Sequence, residues 1–222
     1  MSRSEIIIGK EGIHNKTIAI IGVGGLGSTT AELLARMNPK KLILVDFDKV
    51  EEINLERQTL YNKNDIGKSK VLCAEKKLKQ FCNIEIKNEK ITKENISFNN
   101  IDLLIDCTDN VEARFAINKY CKENKIPWIY SAAIQKIGSI YFVHPDGPCF
   151  KCFNENKQGK KCAEVGILNS TVSTIASLTV NMAIEYLTSG EYPRELLRIN
   201  LDNYSIIKLK VTKRKNCEIC NK

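Results

Sequence analysis

The stretch from Thr17 to Arg57, TIAIIGVGGLGSTTAELLARMNPKKLILVDFDKVEEINLER, constrains the fold more than any other part of the chain. The apolar run Ile18 to Ile21 has the length and composition of a buried strand. It runs into Gly22-Val23-Gly24-Gly25-Leu26-Gly27, a G-x-G-x-x-G turn. From Ser28 onward Ala31, Leu34 and Ala35 keep helical spacing, which predicts a helix up to Met37; Pro39 cannot continue it. Leu42 to Val45 is a second apolar strand, and Asp46 ends it about twenty residues past the last glycine. Glycines in such a turn let the backbone approach phosphates, the helix N-terminus attracts anions, and the acid can accept a hydrogen bond from a ribose hydroxyl. The order strand, turn, helix, strand, acid points to an adenine nucleotide; the other reading is a tight βα turn with no ligand. NAD and ATP both carry a ribose and phosphates, so the unit fits either.

With 222 residues the chain is long enough for one large domain with a full core. It reads as a single domain over 1–222, with a nucleotide-binding half at 1–145 and a second half at 146–222. No internal repeat, low-complexity tract or linker interrupts it. The composition, 43% hydrophobic and 27% charged, is that of a globular protein. No apolar run reaches membrane-spanning length and the N-terminus lacks a secretory pattern, so a cytoplasmic protein with no membrane partner is expected. Nine cysteines in such a chain suggest metal binding or catalysis before disulfides. The net charge of +8 suits nucleic acid or an acidic protein. The lysines are scattered, without a dense basic run or interleaved aromatics, which favours an acidic protein partner over nucleic acid; a solvated lysine-rich surface is the other reading.

The remaining candidate residues fall past strand ends. Residues 1–16 form a short helical or extended lead-in containing Arg3. Asn54, Arg57 and Gln58 lie in the loop after the second strand, on the side where open α/β sheets bind ligands. Residues 65–82 predict a helix with Val71, Leu72, Leu78 and Phe81 as its apolar face. Lys68 and Lys70 sit in its first turn, where positive charge opposes the helix dipole and an anionic ligand would offset the cost. Ile84 to Ile91 alternates like a strand, and Ile101 to Ile105 is another, ending in Asp106-Cys107-Thr108-Asp109-Asn110. Asp109 has two readings, a Mg²⁺ ligand or the N-cap of a helix over 111–123. Strands are expected at 127–132 and 138–143, a long apolar helix at 167–188, and a closing hairpin at 196–201 and 205–212. Cys149 and Cys152, with Cys217 and Cys220, form two C-x-x-C pairs whose four thiolates would complete a closed structural Zn²⁺ site. Unrelated redox or surface cysteines are the alternative. Cys162 stands in a polar loop beside Lys160 and Lys161, which would favour its thiolate; it is a nucleophile or an idle loop residue. Cys73, Cys82, Cys107 and Cys121 read as small core fillers.

Together these segments resemble the ubiquitin-activating-type superfamily, in its branch of MoeB, ThiF and HesA proteins. The resemblance rests on GVGGLG (22–27), LVDFDKV (44–50), NLERQ (54–58), IGKSK (66–70), DCTDN (106–110), the two C-x-x-C pairs and CAEVGIL (162–168), which run in family order over nearly the whole chain. It implies a Rossmann-like α/β fold, a mainly parallel doubly wound sheet with antiparallel strands in the C-terminal part and a structural zinc site. It implies ATP-dependent adenylation of the C-terminal glycine of a small ubiquitin-like sulfur carrier, for molybdopterin, thiamine or thiolated tRNA synthesis. By resemblance Gly22, Gly24, Gly25 and Gly27 cradle ATP, Asp46 binds its ribose, Asn54, Arg57 and Lys70 contact its phosphates, and Asp48 and Gln58 belong to the same nucleotide site. Asp109, beside Asn110, would hold Mg²⁺; Arg3 would reach the ATP of the other subunit of a homodimer; Cys162 matches the cysteine that can form an acyl or persulfide link. Arg57, Lys70, Asp109 and Cys162 are then the expected catalytic residues. An ionised carboxylate needs no general base, and neither His14 nor His144 sits in a motif.

Two departures keep other readings open. The N-terminal RSEIIIGKEG looks more like the related tRNA threonylcarbamoyladenosine dehydratases. No rhodanese domain follows Cys220, so a separate sulfur donor is expected. A non-catalytic nucleotide- and zinc-binding scaffold is the third reading, though such a scaffold would be expected to lose Arg57 or Asp109.

Overall fold

The computed structural model describes residues 3–154 and 165–220. In chain order the elements are α1 (Glu5–Ile8), β1 (Thr17–Ile21), α2 (Gly25–Ala35), β2 (Lys41–Val45), two short 3₁₀ turns (Glu52–Asn54 and Lys63–Asp65), α3 (Lys70–Leu78), β3 (Ile84–Lys87), β4 (Leu103–Asp106), α4 (Val111–Glu123), β5 (Trp128–Ile134), β6 (Ile137–Val143), α5 (Phe150–Phe153), α6 (Asn169–Ser189), β7 (Glu195–Asn200) and β8 (Ser205–Lys210). The strands form one sheet in the order β3-β2-β1-β4-β5-β6-β7-β8. β3 to β5 pair in parallel; β5 to β8 pair antiparallel. The expected α/β architecture with antiparallel C-terminal strands is what the chain adopts.

Alternation along the strands divides the core between the two faces of the sheet. Ile18, Ile20, Leu42, Leu44, Leu103 and Ile105 pack with Ala31 and Leu34 of α2, Val71 of α3 and Ile175 of α6. Ala19, Ile21, Ile43, Val45 and Leu104 pack on the other face with Ile117 of α4, Phe150 of α5 and the segment containing Ile91, Ile96 and Phe98. Each buried aliphatic chain contributes about 1.5–3 kcal/mol, and burial on both faces explains why β1, β2 and β4 read as unbroken apolar runs. No helix among the described residues is long and apolar enough to cross a membrane.

Four local outcomes bear on the site. The helix expected over 65–82 is only Lys70–Leu78. Its would-be first turn is spent elsewhere: the Gly67 and Lys70 N–H groups donate to Val50 and Asp48 carbonyls, and Ser69 bridges Lys49. Lys68 therefore lies outside the helix, and Leu72, 51% exposed, is not on its buried face. The strand expected over 84–91 stops at Lys87, whose carbonyl accepts the Asp46 N–H; the chain then turns at Thr92–Asn95 and tucks Ile91, Ile96 and Phe98 under the sheet. Asp109 is not a helix cap. Asn110 is, its Oδ1 accepting the Glu112 and Ala113 N–H groups at 2.8 and 3.2 Å. The long C-terminal helix begins at Asn169 rather than 167, because Ile167 bridges Gln135.

Candidate nucleotide site and metal centre

The glycine turn lies where the sheet changes direction. From β1 the chain passes to β2 on one side, while its other neighbour, β4, leads on to β5; ligands of open α/β sheets bind outside such a switch point. Gly22 adopts φ +86°, and a Cβ there would stand 2.9 Å from the Cys107 carbonyl oxygen. A Cβ on Gly27 would stand 1.8 Å from the Gly22 carbonyl oxygen. Two backbones thus touch at positions only glycine can fill, and α2 starts with no side-chain cap over its free N–H groups. The N-terminus of α6 closes one side: Val172 lies 3.2 Å from a Cβ built on Gly25, and Asn169 Nδ2 donates to the Glu56 carbonyl at 3.3 Å.

Asp46 is buried under the turn. Its Oδ2 accepts the Val23 N–H at 2.6 Å and its Oδ1 the Asp48 N–H at 2.9 Å. Burial pushes its carboxyl above the usual value, while Lys70 and the two N–H groups pull it back. Each oxygen keeps a lone pair for a further donor. Lys70 is 5% exposed and pairs with Asp48 at 2.9 Å. The cost of a cation at the start of α3 is therefore already offset within the chain, by Asp48 and the nearby Asp46, without requiring an anionic ligand. Asn54 is buried, its Oδ1 accepting the Glu51 N–H. Arg57 Nη1 donates to the Ile53 carbonyl at 2.9 Å and meets Glu56 at 3.2 Å. Gln58 is 3% exposed, and its Oε1 accepts no hydrogen bond from the described residues; its Nε2 lies 3.8 Å from a Cβ built on Gly24. A buried acceptor left unpaired beside the turn is what a bound donor would satisfy.

On the other side of the switch point Asp109 is exposed at the carboxyl end of β4, and since Asn110 caps the helix its carboxylate is not needed there. The loop is held from below. Asp106, fully buried, accepts Thr108 N–H and Oγ1–H through Oδ1 and Arg114 Nε at 3.0 Å through Oδ2, while Arg114 Nη2 donates to the Thr108 carbonyl. Burial raises the Asp106 carboxyl, and the Arg114 guanidinium opposes it. Arg114 was not singled out from sequence, although its spacing with Ile117 and Cys121 places it on the inward stripe of α4. Tyr61, whose hydroxyl donates to the Val23 carbonyl at 2.7 Å, is buried in the main core from a loop whose sequence has no periodicity to flag it. Arg3 is exposed ahead of α1. Cys162 lies outside the described residues.

The two C-x-x-C pairs meet at α5, which packs on β5 and β6, with Val211 just past β8 against them. Cys149 Sγ lies 3.9 Å from Cys152 Sγ and 3.5 Å from Cys217 Sγ, and Cys152 Sγ lies 3.6 Å from Cys220 Sγ. All four sulfurs lie within 4.8 Å of one another, in a setting buried except at Cys220. Tetrahedral Zn–S bonds of about 2.3 Å place their sulfurs about 3.8 Å apart. The set therefore fits one such ion and could hold zinc. Burial would raise the Cys217 thiol, but the Cys220 and Ile219 N–H groups bring it down to about 7, toward the thiolate a metal needs. Cys73, Cys82, Cys107 and Cys121 are buried and unpaired; burial lifts Cys107 to about 12, and they serve as packing.

Comparison with known proteins gives a consistent set of relatives. The ThiF family model matches residues 2–221. Ubiquitin-like modifier-activating enzyme 5 of Drosophila virilis is 34% identical over 248 residues, covering 98% of this chain and 62% of that protein. Molybdopterin-synthase adenylyltransferase of Escherichia coli (strain K12) is 32% identical over 229 residues, covering 96% of this chain and 90% of that one. The chain thus spans about three fifths of the length of the first of these. A crystal structure of E. coli MccB with ATP superposes with a TM-score of 0.84 at 20% identity, over 96% of this chain and 69% of that one, which establishes likeness of fold.

Proposed function

Since the chain belongs to the ThiF family, we propose that it is an adenylyltransferase that uses ATP to activate the C-terminal carboxylate of a ubiquitin-like protein, releasing pyrophosphate. The observation that carries this reading is the crevice between the carboxyl ends of β1 and β4. There a glycine turn with an uncapped helix N-terminus follows β1, and the exposed Asp109, not needed as the cap of α4, follows the neighbouring parallel strand β4. ATP phosphates lie against the turn that Gly22 opens, on the N–H groups of Gly24, Gly25 and Gly27; the Gly22 N–H is itself spent on the Val45 carbonyl. The spare lone pairs of Asp46 take the ribose, Asn54 lies at the phosphates, and Asp48, Gln58 and Asn110 complete the nucleotide site. Arg57 and Lys70 neutralise the triphosphate, Lys70 by exchanging its partner Asp48 for phosphate. Arg3 of a second copy adds to them in a homodimer. Asp109 would hold Mg²⁺, which when bound stabilises charge on the departing pyrophosphate.

The carboxylate oxygen attacks the α-phosphorus, the bond from that phosphorus to the bridging oxygen breaks, and pyrophosphate leaves with the electron pair. The attacking carboxyl, with a pKa of about 3.5, is already ionised at neutral pH, so no side chain has to remove a proton. Cys162 acts only afterwards, its sulfur attacking the acyl carbon as AMP departs. The four-cysteine cluster holds structural zinc and ties the C-terminal segment to α5.

Within this class the substrate is a sulfur carrier ending in Gly-Gly, with sulfur supplied by a separate donor; the E. coli adenylyltransferase supports this choice. A protein modifier is the second reading, supported by the Drosophila relative. ATP–pyrophosphate exchange with small ubiquitin-like proteins tests both. Exchange should require a carrier with a free Gly-Gly end. Exchange stimulated by tRNA and by no such protein would overturn the reading.

A further inference from the structure

One fully buried amide beside the cysteine cluster is satisfied at only one of its two ends. Asn118 projects from α4 and is 0% exposed. Its Oδ1 accepts the Phe150 N–H at 2.8 Å, which fixes the orientation of the amide, since only the oxygen can serve that donor. Phe150 directly follows Cys149, so the amide is pinned against the first cysteine of the cluster. The other end, Nδ2, finds no hydrogen-bond partner among the described residues. A buried donor left unpaired is costly, so its retention here calls for a partner.

We propose that Asn118 is a positioning residue of the metal centre: its Nδ2–H donates to Cys149 Sγ once that sulfur is a metal-bound thiolate, bracing the cluster against α4. This rests on reading the four cysteines as a metal site. A thiol is a weak acceptor and a thiolate a strong one, so the donor acquires its partner only in the loaded state. Metal ligands commonly depend on such outer hydrogen bonds, whose loss weakens binding about 10–100-fold. The bond also has reach. The helix that carries Asn118 begins at the Asp109-Asn110 loop, so the centre that anchors the C-terminal segment is fastened to the element that starts beside the nucleotide crevice.

The test is Asn118→Asp, which keeps an acceptor for the Phe150 N–H and turns the donor into an oxygen facing the thiolates. Competition with a chromophoric chelator should show Zn²⁺ bound about 10–100-fold more weakly, and the thiolate-to-metal band of the Co²⁺-loaded variant should shift, which loosened packing alone would not cause. In wild-type protein loaded with ¹¹³Cd²⁺, scalar coupling should link the metal to an Asn118 side-chain proton, a measurement that does not depend on the variant folding. Unchanged affinity and band in the variant, or absence of that coupling in the loaded wild type, would overturn the proposal while leaving the metal site standing. Wild-type protein that takes up no metal would overturn the metal reading, and this one with it.

Discussion

The two ends of the sheet solve the same problem by opposite means. At β1, β2 and β4 every strand residue except Lys41 is buried, helices cover both faces, and the glycine turn is locked by backbone against backbone. At β7 and β8 only Ile199 is buried; Ile206, Ile207 and Leu209 are 44–55% exposed, and β8 has one neighbour. Little apolar burial holds that hairpin, so its hold must come from elsewhere. A few residues past β8 the chain reaches Cys217 and Cys220, stapled to Cys149 and Cys152, while Arg214 Nε donates to the Cys152 carbonyl at 2.8 Å. A site built on a packed core needs no ion to keep its shape; at the exposed edge an ion held by the four cysteines would supply the tie that packing does not.

The largest expected effect separates the two ends most sharply. Structural zinc contributes on the order of 10 kcal/mol in small zinc modules. Chelation should strip hydrogen-exchange protection from β7, β8 and the segment up to Cys220, and leave β1, β2 and β4 protected. Uniform loss across the sheet would show that the ends are one cooperative unit. Next comes Gly27→Ala, whose new Cβ meets a carbonyl that no side-chain rotation can move. It should cost more than about 3 kcal/mol in urea unfolding, and a wild-type midpoint would disprove the backbone lock. Asp109→Ala should leave the urea midpoint in place, because Asn110 keeps the cap, while pyrophosphate exchange falls by about 10²–10³. A wild-type exchange rate would remove Asp109 from the site. The smallest effect belongs to Ile207→Lys on the exposed edge, expected to change stability by less than about 0.5 kcal/mol; a larger loss would mean that β8 is covered in solution.

How much was legible follows the range of the interactions. Val71 and Leu78 were read correctly as inward, since helical spacing alone determines their face, whereas the start of α3 was misread because Val50 and Asp48 compete for its first turn. The choice of Asn110 over Asp109 as cap turned on a single residue of register, which no pattern of residue types resolves. Tyr61 and Asn118 carry no local signal because each serves a partner more than thirty residues away, and Arg114 reads as a surface cation until the buried carboxylate of Asp106 is seen to answer it.

By itself the sequence determined the glycine turn, the apolar strands, the acid after β2 and the two cysteine pairs, because each is set by steric rules or ligand chemistry acting over a few residues. Only the tertiary structure decided that Lys70 is answered by Asp48, that Asp106 and Arg114 hold the Asp109 loop from below, and that the two cysteine pairs close to within bonding distance of one ion. Those outcomes depend on where the sheet carries distant segments, and on the need of every buried charge and donor to find a partner there.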